Sequence, residues 1–340
     1  MSKDQILLFS GGIDSYAAWY FLGRPKTIYF NLRTPYSDYE LRVVKELIPE
    51  TIIDNSLTLN SRQIPGSDTA FIPMRNLYLA MLASAYADEI VICGLKDDCV
   101  NDKTPEAFAE FSGILSKLNE REIKVTSPFW NMTKADVVKW YLDTYKDSAV
   151  LSSKLLRTIS CYTPSSKGKD IQTYCGKCRS CFRKWSALYV NGIKLPFYNL
   201  DLMREYLIRA RQNRYIPERN KQIIESITSY GVENELPYLG KIAVVDIDGV
   251  LTWEIDGFSY CNRTANRANI ENINKLREKG AAIVLWTSRY PEDAKITEVW
   301  LQAAGVRYDE LCLGKRYYDF WVDDKGVNIN DITDLMGGLL

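Results

Sequence analysis

The sequence predicts an α/β protein made of two parallel-sheet domains in series. A short apolar run, Ile6, Leu7, Leu8 and Phe9, ends in Ser10-Gly11-Gly12-Ile13-Asp14-Ser15 and passes directly into an apolar helix pattern over residues 16–22. Strand-like and helix-like stretches then alternate at the spacing of βαβ units, which predicts a parallel sheet with helices on both faces. Near residue 240 the pattern starts again, with Lys-Ile-Ala-Val-Val leading into Asp246-Ile247-Asp248.

At 340 residues the chain has room for two or three domains, and its 46% apolar and 25% charged shares are ordinary for a globular protein. No apolar run reaches the roughly 20 residues of a membrane span. The first residues enter a strand without a signal-peptide core, so a cytoplasmic protein with no membrane partner is expected. Lysine and arginine total 43 and match the 43 aspartates and glutamates, so no overall field gathers nucleic acid. Histidine is absent, which excludes catalytic triads, histidine-bound zinc and imidazole bases. Acid–base work falls to carboxylates, lysine, tyrosine or cysteine.

The first strand-to-helix turn reads as an anion site. Gly11 and Gly12 let the backbone approach a phosphate, and the free amides of the helix start favour negative charge. Ser10 and Ser15 add hydroxyl donors, and Asp14 can position a cation. Residues 27–32 read as a second strand, 39–47 as a helix and 51–53 as a third strand. Ile72-Pro73-Met74-Arg75-Asn76 precedes a helix over 77–87 and a strand over 89–94. Arg75 is expected in a loop, where it can reach a phosphate or carboxylate. The polar stretch Lys96, Asp97, Asp98, Asn101, Asp102 leads to a helix over 106–118. Ser127-Pro128-Phe129 breaks the chain before Thr133-Lys134-Ala135-Asp136, which opens a helix over 137–145. Thr133 and Asp136 resemble a capping box. Lys134 opposes the helix dipole and is expected to meet an anion. In such sheets ligands bind beyond the strands' carboxyl ends, where the glycine turn sits.

Cys161 is followed after thirteen residues by Cys175-Gly176-Lys177-Cys178-Arg179-Ser180-Cys181. This knuckle can wrap one tetrahedral ion, with Cys161 closing the set. Zn²⁺ suits four thiolates; an iron–sulfur cluster or a disulfide pair is the rival reading.

Ser-Gly-Gly-Ile-Asp-Ser resembles the signature of the PP-loop ATP pyrophosphatase superfamily, whose members transfer AMP from ATP to a substrate, and no Gly-Lys-Ser or Gly-Lys-Thr follows it. Taken in order with Ile-Pro-Met-Arg-Asn, Ser-Pro-Phe-Trp-Asn-Met-Thr-Lys-Ala-Asp and Ser-Cys-Tyr followed by Cys-Gly-Lys-Cys-Arg-Ser-Cys, it resembles the 7-cyano-7-deazaguanine (preQ0) synthase family over residues 1–195. The resemblance implies adenylation of 7-carboxy-7-deazaguanine by ATP, displacement of AMP by ammonia, and dehydration of the amide to the nitrile. It also implies a structural zinc on Cys161, Cys175, Cys178 and Cys181. Ser10, Gly11, Gly12, Asp14 and Ser15 become the ATP loop, and Arg75, Asn76 and Lys134 active-site residues. Where the family has Tyr-Pro-Asp this chain has Val100-Asn101-Asp102-Lys103, and Asp102 keeps an acidic contact for the guanine-like face. An acceptor amine on nucleic acid or protein, in place of ammonia, is the alternative outcome, and a catalytically inactive nucleotide-binding module is the rival of a different class.

Residues 196–239 read as a polar helical linker carrying Arg204, Arg209, Arg211, Arg214, Arg219 and Lys221, more simply a solvated bridge than a nucleic-acid face. Beyond it, Asp246 and Asp248 follow one strand, Thr287 a second (282–286), and Asp323 with Asp324 a third (320–322), with Lys315 shortly before. Hydroxyl, lysine and two acidic pairs at strand ends converge on one phosphate-and-magnesium site. The set resembles the haloacid dehalogenase (HAD) phosphatase superfamily over about residues 240–330. That resemblance implies Asp246 as nucleophile, Asp248 as acid/base, Thr287 and Lys315 as phosphate holders, and Asp323 and Asp324 supporting Mg²⁺ together with Asp246 and Asp248. The expected arrangement is residues 1–195 as a PP-loop synthase-like domain, 196–239 as linker and 240–340 as a phosphatase domain acting on a phosphorylated substrate. A homodimer is compatible with it.

Overall fold

The computed structural model describes residues 4–59, 71–167, 170–253, 259–316, 318, 323 and 325–327. Two compact units emerge, one formed by Met1–Asn199 with Tyr215–Gln222, the other by Leu200–Arg214 with Ile223–Leu340.

In the first unit, β1 (Gln5–Leu8), α1 (Ile13–Phe21), β2 (Lys26–Phe30), α2 (Ser37–Leu47), β3 (Ile52–Asp54), α3 (Arg75–Ala83), β4 (Glu89–Val91), α4 (Pro105–Leu118), β5 (Lys124–Thr126) and α5 (Lys134–Thr144) follow in order. The strands form one sheet in the order β3-β2-β1-β4-β5, every pair parallel. The order reverses beside β1, so the crevice at its carboxyl end, where the glycine turn lies, is the topological switch point. Strand alternation builds the two faces. Leu7, Tyr29 and Val91 enter one core with Val43, Val44 and Val137, while Ile6, Ile28, Ile90 and Val125 enter the other with Ala80, Phe108 and Leu115. Both faces are covered, as a parallel sheet requires.

The remaining elements of this unit are α6 (Ala149–Arg157), the antiparallel pair β6 (Ser165–Lys167) and β7 (Asp170–Gln172), and α7 (Arg179–Tyr189). None of these, nor β5, is among the sequence expectations. Another difference concerns Arg75, expected in a loop. It is the first residue of α3, because Met74 takes a left-handed turn (φ 56°) that starts the helix early. The capping box is present: Thr133 Oγ1 accepts from the Asp136 amide, and Asp136 accepts from the Thr133 amide at 2.8 Å.

The segment expected as linker holds α8 (Leu200–Arg211) and α9 (Pro217–Glu233), the second of which runs from one unit into the other. The second unit continues with β8 (Ile242–Val245), α10 (Arg267–Glu278), β9 (Ala282–Trp286), α11 (Ala294–Ala304) and β10 (Glu310–Cys312). Its parallel sheet runs β10-β9-β8 around a core of Ile247, Ile273, Ile283, Leu285 and Leu301. Arg204 of the basic run is buried against Asp309 at 3.1 Å, and Arg277 reaches Asp309 at 2.8 Å. Those two charges hold the fold together and do not face a polyanion. The strand expected over 320–322 lies outside the described residues.

Candidate active site

The turn after β1 is built by two glycines with different duties. Gly11 has φ +73°, and a Cβ there would press on Ile159 Cγ2 and Val43 Cγ1, both at 3.3 Å. Gly12 caps α1 with extended backbone and no side-chain cap, leaving the helix's first amides to an incoming anion. Ser10, Gly12, Asp14 and Ser15 line a cavity of about 280 Å³ whose wall also includes Arg75 and Asn76. Its size is near the lower end of small-molecule sites, roughly 300–1,000 Å³.

Lys134, the first residue of α5, closes on the loop from below. Its Nζ lies 2.5 and 2.6 Å from the two oxygens of Asp14, and it is 7% exposed. The cation that opposes its own helix dipole is therefore matched by a carboxylate in the first turn of α1. Asp102 turns to Asn76: it accepts the Asn76 backbone amide at 3.0 Å and Nδ2 at 2.9 Å. It thereby fixes the start of α3 beside Arg75. Cys93 also lines the cavity, but burial pushes its thiol up to about 12, so it is no thiolate at neutral pH.

The four cysteines meet. The sulfurs of Cys161, Cys175, Cys178 and Cys181 all lie within 4.8 Å of one another, and Cys175 Sγ is 3.8 Å from Cys181 Sγ. A tetrahedral Zn²⁺ with bonds of about 2.3 Å requires sulfur–sulfur edges of about 3.8 Å. Backbone amides of Thr163, Lys177 and Cys181 each donate to one of the sulfurs at 3.4 Å, the pattern of a thiolate set. Hydrogen bonds from Cys161 and Cys181 pull the Cys178 thiol far below its ordinary range. The donor set and its spacing fit a closed, structural zinc site. The knuckle also shapes the cavity. The Ile159 amide donates to Gly11 at 2.8 Å, and Ser160, Tyr162 and Ser180 stand in the cavity wall.

Two residues, Glu40 and Arg183, were missed by sequence reasoning. Glu40, in the first turn of α2, faces the cavity and accepts from the Tyr29 hydroxyl at 3.0 Å. Burial pushes its carboxyl up to about 7, against the pull of that hydrogen bond and of Arg75. Arg183 of α7 binds Asp98 at 2.7 Å and Asp97 at 3.3 Å, while Lys103 reaches Asp98 at 2.9 Å. Despite their burial, these cations hold the Asp98 carboxyl well below the usual range. The loop after β4 is thus tied to the cysteine module. A charged residue three positions after a parallel strand's polar loop begins, and an arginine two residues past the last cysteine, were the only available signals.

In the second unit, Asp246 directly follows β8, Thr287 follows β9 and Lys315 lies shortly after β10. Lys315 Nζ bonds Asp246 Oδ2, and Thr287 is fully buried. Asp248 has both oxygens taken by the buried Arg289, at 2.8 Å each. Asp323 is exposed, and Asp324 lies outside the described residues. Among the described residues these carboxylates form no metal-holding cluster; ion pairs engage Asp246 and Asp248 instead. The residues described do not present a ready Mg²⁺ site.

The first unit therefore defines a class: a parallel α/β fold with a glycine turn at the switch point of its five-stranded sheet and a four-thiol knuckle beside it. Comparison with known proteins narrows the class. The family model of the queuosine biosynthesis protein QueC matches residues 24–192. The 7-cyano-7-deazaguanine synthase of Persephonella marina is 25% identical over 236 residues, 59% of this chain and 98% of its own. That of Methanobrevibacter smithii is 26% identical over 58% of this chain and 97% of its own, and that of Methanocaldococcus jannaschii 29% identical over 36% and 54%. A crystal structure from Vibrio cholerae is 26% identical over 29% of this chain, with a TM-score of 0.25. The N-terminal part of the chain is thus similar to 7-cyano-7-deazaguanine synthases. No described helix is long and apolar enough to cross a membrane.

Proposed function

We propose that the first unit adenylates 7-carboxy-7-deazaguanine with ATP and converts the adenylate, with ammonia, to the amide and then the nitrile. The observation that carries this reading is one cavity lined by the glycine-turn residues, by Arg75 and by Ser160, Tyr162 and Ser180, which are sequence neighbours of the clustered cysteines. The amides at the start of α1 and the hydroxyls of Ser10 and Ser15 receive the triphosphate. Arg75 holds the substrate carboxylate against the α-phosphate, where proximity lowers the barrier. Lys134 keeps Asp14 neutralised next to the arriving charge. The four cysteines would hold zinc in a structural role, with no ligand position left for water, while the Ile159 amide keeps the 159–162 segment against Gly11.

The test is product analysis by mass spectrometry. Zinc-loaded protein with ATP, ammonium and the carboxy-deazaguanine is expected to give the amide and nitrile. A mass added to nucleic acid or protein instead would transfer the reading to an acceptor amine, and no deazaguanine product would defeat it.

A second activity rests on the second unit. Asp246, Thr287 and Lys315 at the carboxyl ends of β8, β9 and β10 support a phosphate-binding site with Asp246 as nucleophile. Acid–base work by Asp248 requires its release from Arg289. Hydrolysis of an aryl phosphate, measured with and without Mg²⁺, is expected from the native protein and lost in Asp246→Asn. Equal hydrolysis by both would refute the assignment.

A further inference from the structure

Two acidic side chains line the first unit's cavity, and they differ in what holds them. Asp14 has both oxygens on Lys134 Nζ. Glu40 has a neutral partner, the Tyr29 hydroxyl, and no cation at ion-pairing distance among the described residues. The groups that face it are Tyr29 from β2, Tyr36 from the turn before α2 and Arg75 from α3, the last close enough for its charge to be felt. On the same cavity wall, Lys103 is spent on Asp98, and the rings of Tyr36 and Tyr162 stand 5.9 Å apart.

The rest of the cavity recognises anions: loop amides, serine hydroxyls and Arg75. An amide-forming reaction also needs a nitrogen nucleophile: ammonium first releases one proton to water to give ammonia, and the ammonia must shed a second as it becomes the amide. We propose that Glu40 accepts the proton from ammonia as it attacks the acyl adenylate. In that step the nitrogen–carbon bond forms, the carbon–oxygen bond to AMP breaks, AMP leaves with the electron pair, and one nitrogen-bound proton passes to a Glu40 carboxylate oxygen. A carboxyl raised by burial to about 7 is ionised enough to attract ammonium and basic enough to take the proton that the nitrogen loses on attack near neutrality. Tyr29 is a positioning residue that aims and tunes the carboxylate through its hydroxyl.

This inference rests on the adenylation reading, and two assays separate them. Pyrophosphate exchange into ATP, dependent on the carboxy-deazaguanine, needs no amine; its absence in the native protein defeats the adenylation reading itself. Given exchange, Glu40→Gln is expected to keep it within about threefold while amide formation from ammonium falls about 10²-fold. Hydroxylamine, unprotonated at neutral pH and already nucleophilic, is expected to restore acyl transfer in that variant as the hydroxamate. Amide formation at the native rate, or loss of exchange together with amide, overturns the proposal. Tyr29→Phe provides the second check. Removing a hydrogen bond that lowers the Glu40 carboxyl is expected to move the acid limb of amide formation to higher pH and leave that of exchange in place; an unmoved limb overturns the assignment.

Discussion

Lys134 and Asp14 show at residue scale how the site balances charge. Their side chains are 8% and 18% exposed, so removing one leaves the other largely buried and without its ion-pair partner. Lys134→Ala is expected to cost about 3 kcal/mol of stability in urea denaturation and to lower the rate of AMP formation at least tenfold. Glu40 gives a pH signature. Its carboxyl sits at about 7 in the fold against 4.5 as its ordinary value, so the folded state binds the extra proton between those values. Stability contributed there is present below 4.5 and lost as pH rises through 7. Glu40→Gln should therefore melt with the native protein at acid pH and higher than it above pH 7, as differential scanning calorimetry will show. Lys134 was legible because a cation in a first turn is out of place. Glu40 was not, since an acid in a first turn is what the helix dipole favours anyway. Asp102 was legible as an acid near the site, but its bonding to Asn76 depends on contacts that no local pattern encodes.

At the scale of elements, glycine 94 limits the end of β4. A Cβ there would lie 2.1 Å from the Trp130 ring, and its amide and carbonyl are both bonded to Ser127 Oγ, at 2.9 and 2.7 Å. Gly94→Ala is expected to destabilise the protein by roughly 2 kcal/mol, read by chemical denaturation, because the half-buried Trp130 ring, packed edge-on against Phe108, must shift to make room. The cysteine knuckle makes a second prediction. Cys178→Ser should lose the bound zinc, measured by atomic emission, and with it the ordered 159–162 segment and ATP affinity. Strands β1, β2 and β4 were readable from apolar runs bounded by turn residues. Short β5, Lys-Val-Thr, carries too few residues for a period, and α7 hides its apolar face, Phe182, Trp185, Leu188 and Tyr189, behind the cysteine spacing. The strand–turn–helix geometry at residues 10–15 was legible because it is local: two glycines, two serines and an acid within six residues.

For the whole molecule, the unit boundary carries a consequence that spacing alone does not reveal. Residues 215–222 belong with the first unit: Arg219 donates to the Asp97 carbonyl at 2.9 Å, and Gln222 Nε2 to Ser186 Oγ at 3.1 Å. A truncation ending at residue 195 should melt several degrees below one ending at 222, since it loses these buried bonds. A polar helical composition made residues 196–239 look like one solvated bridge; the buried partners of Arg204 and Arg219 are separated from them by about a hundred residues, beyond any local pattern. The cavity at the carboxyl end of β1 is proposed to cleave ATP to AMP against a deazaguanine carboxylate. The most direct measurement is nucleotide analysis after incubation of the zinc-loaded protein with ATP, with and without 7-carboxy-7-deazaguanine. AMP and pyrophosphate are expected only when the acid is present, and are expected to be lost in Lys134→Ala; ADP as product, or AMP formation indifferent to the acid, would rule this activity out.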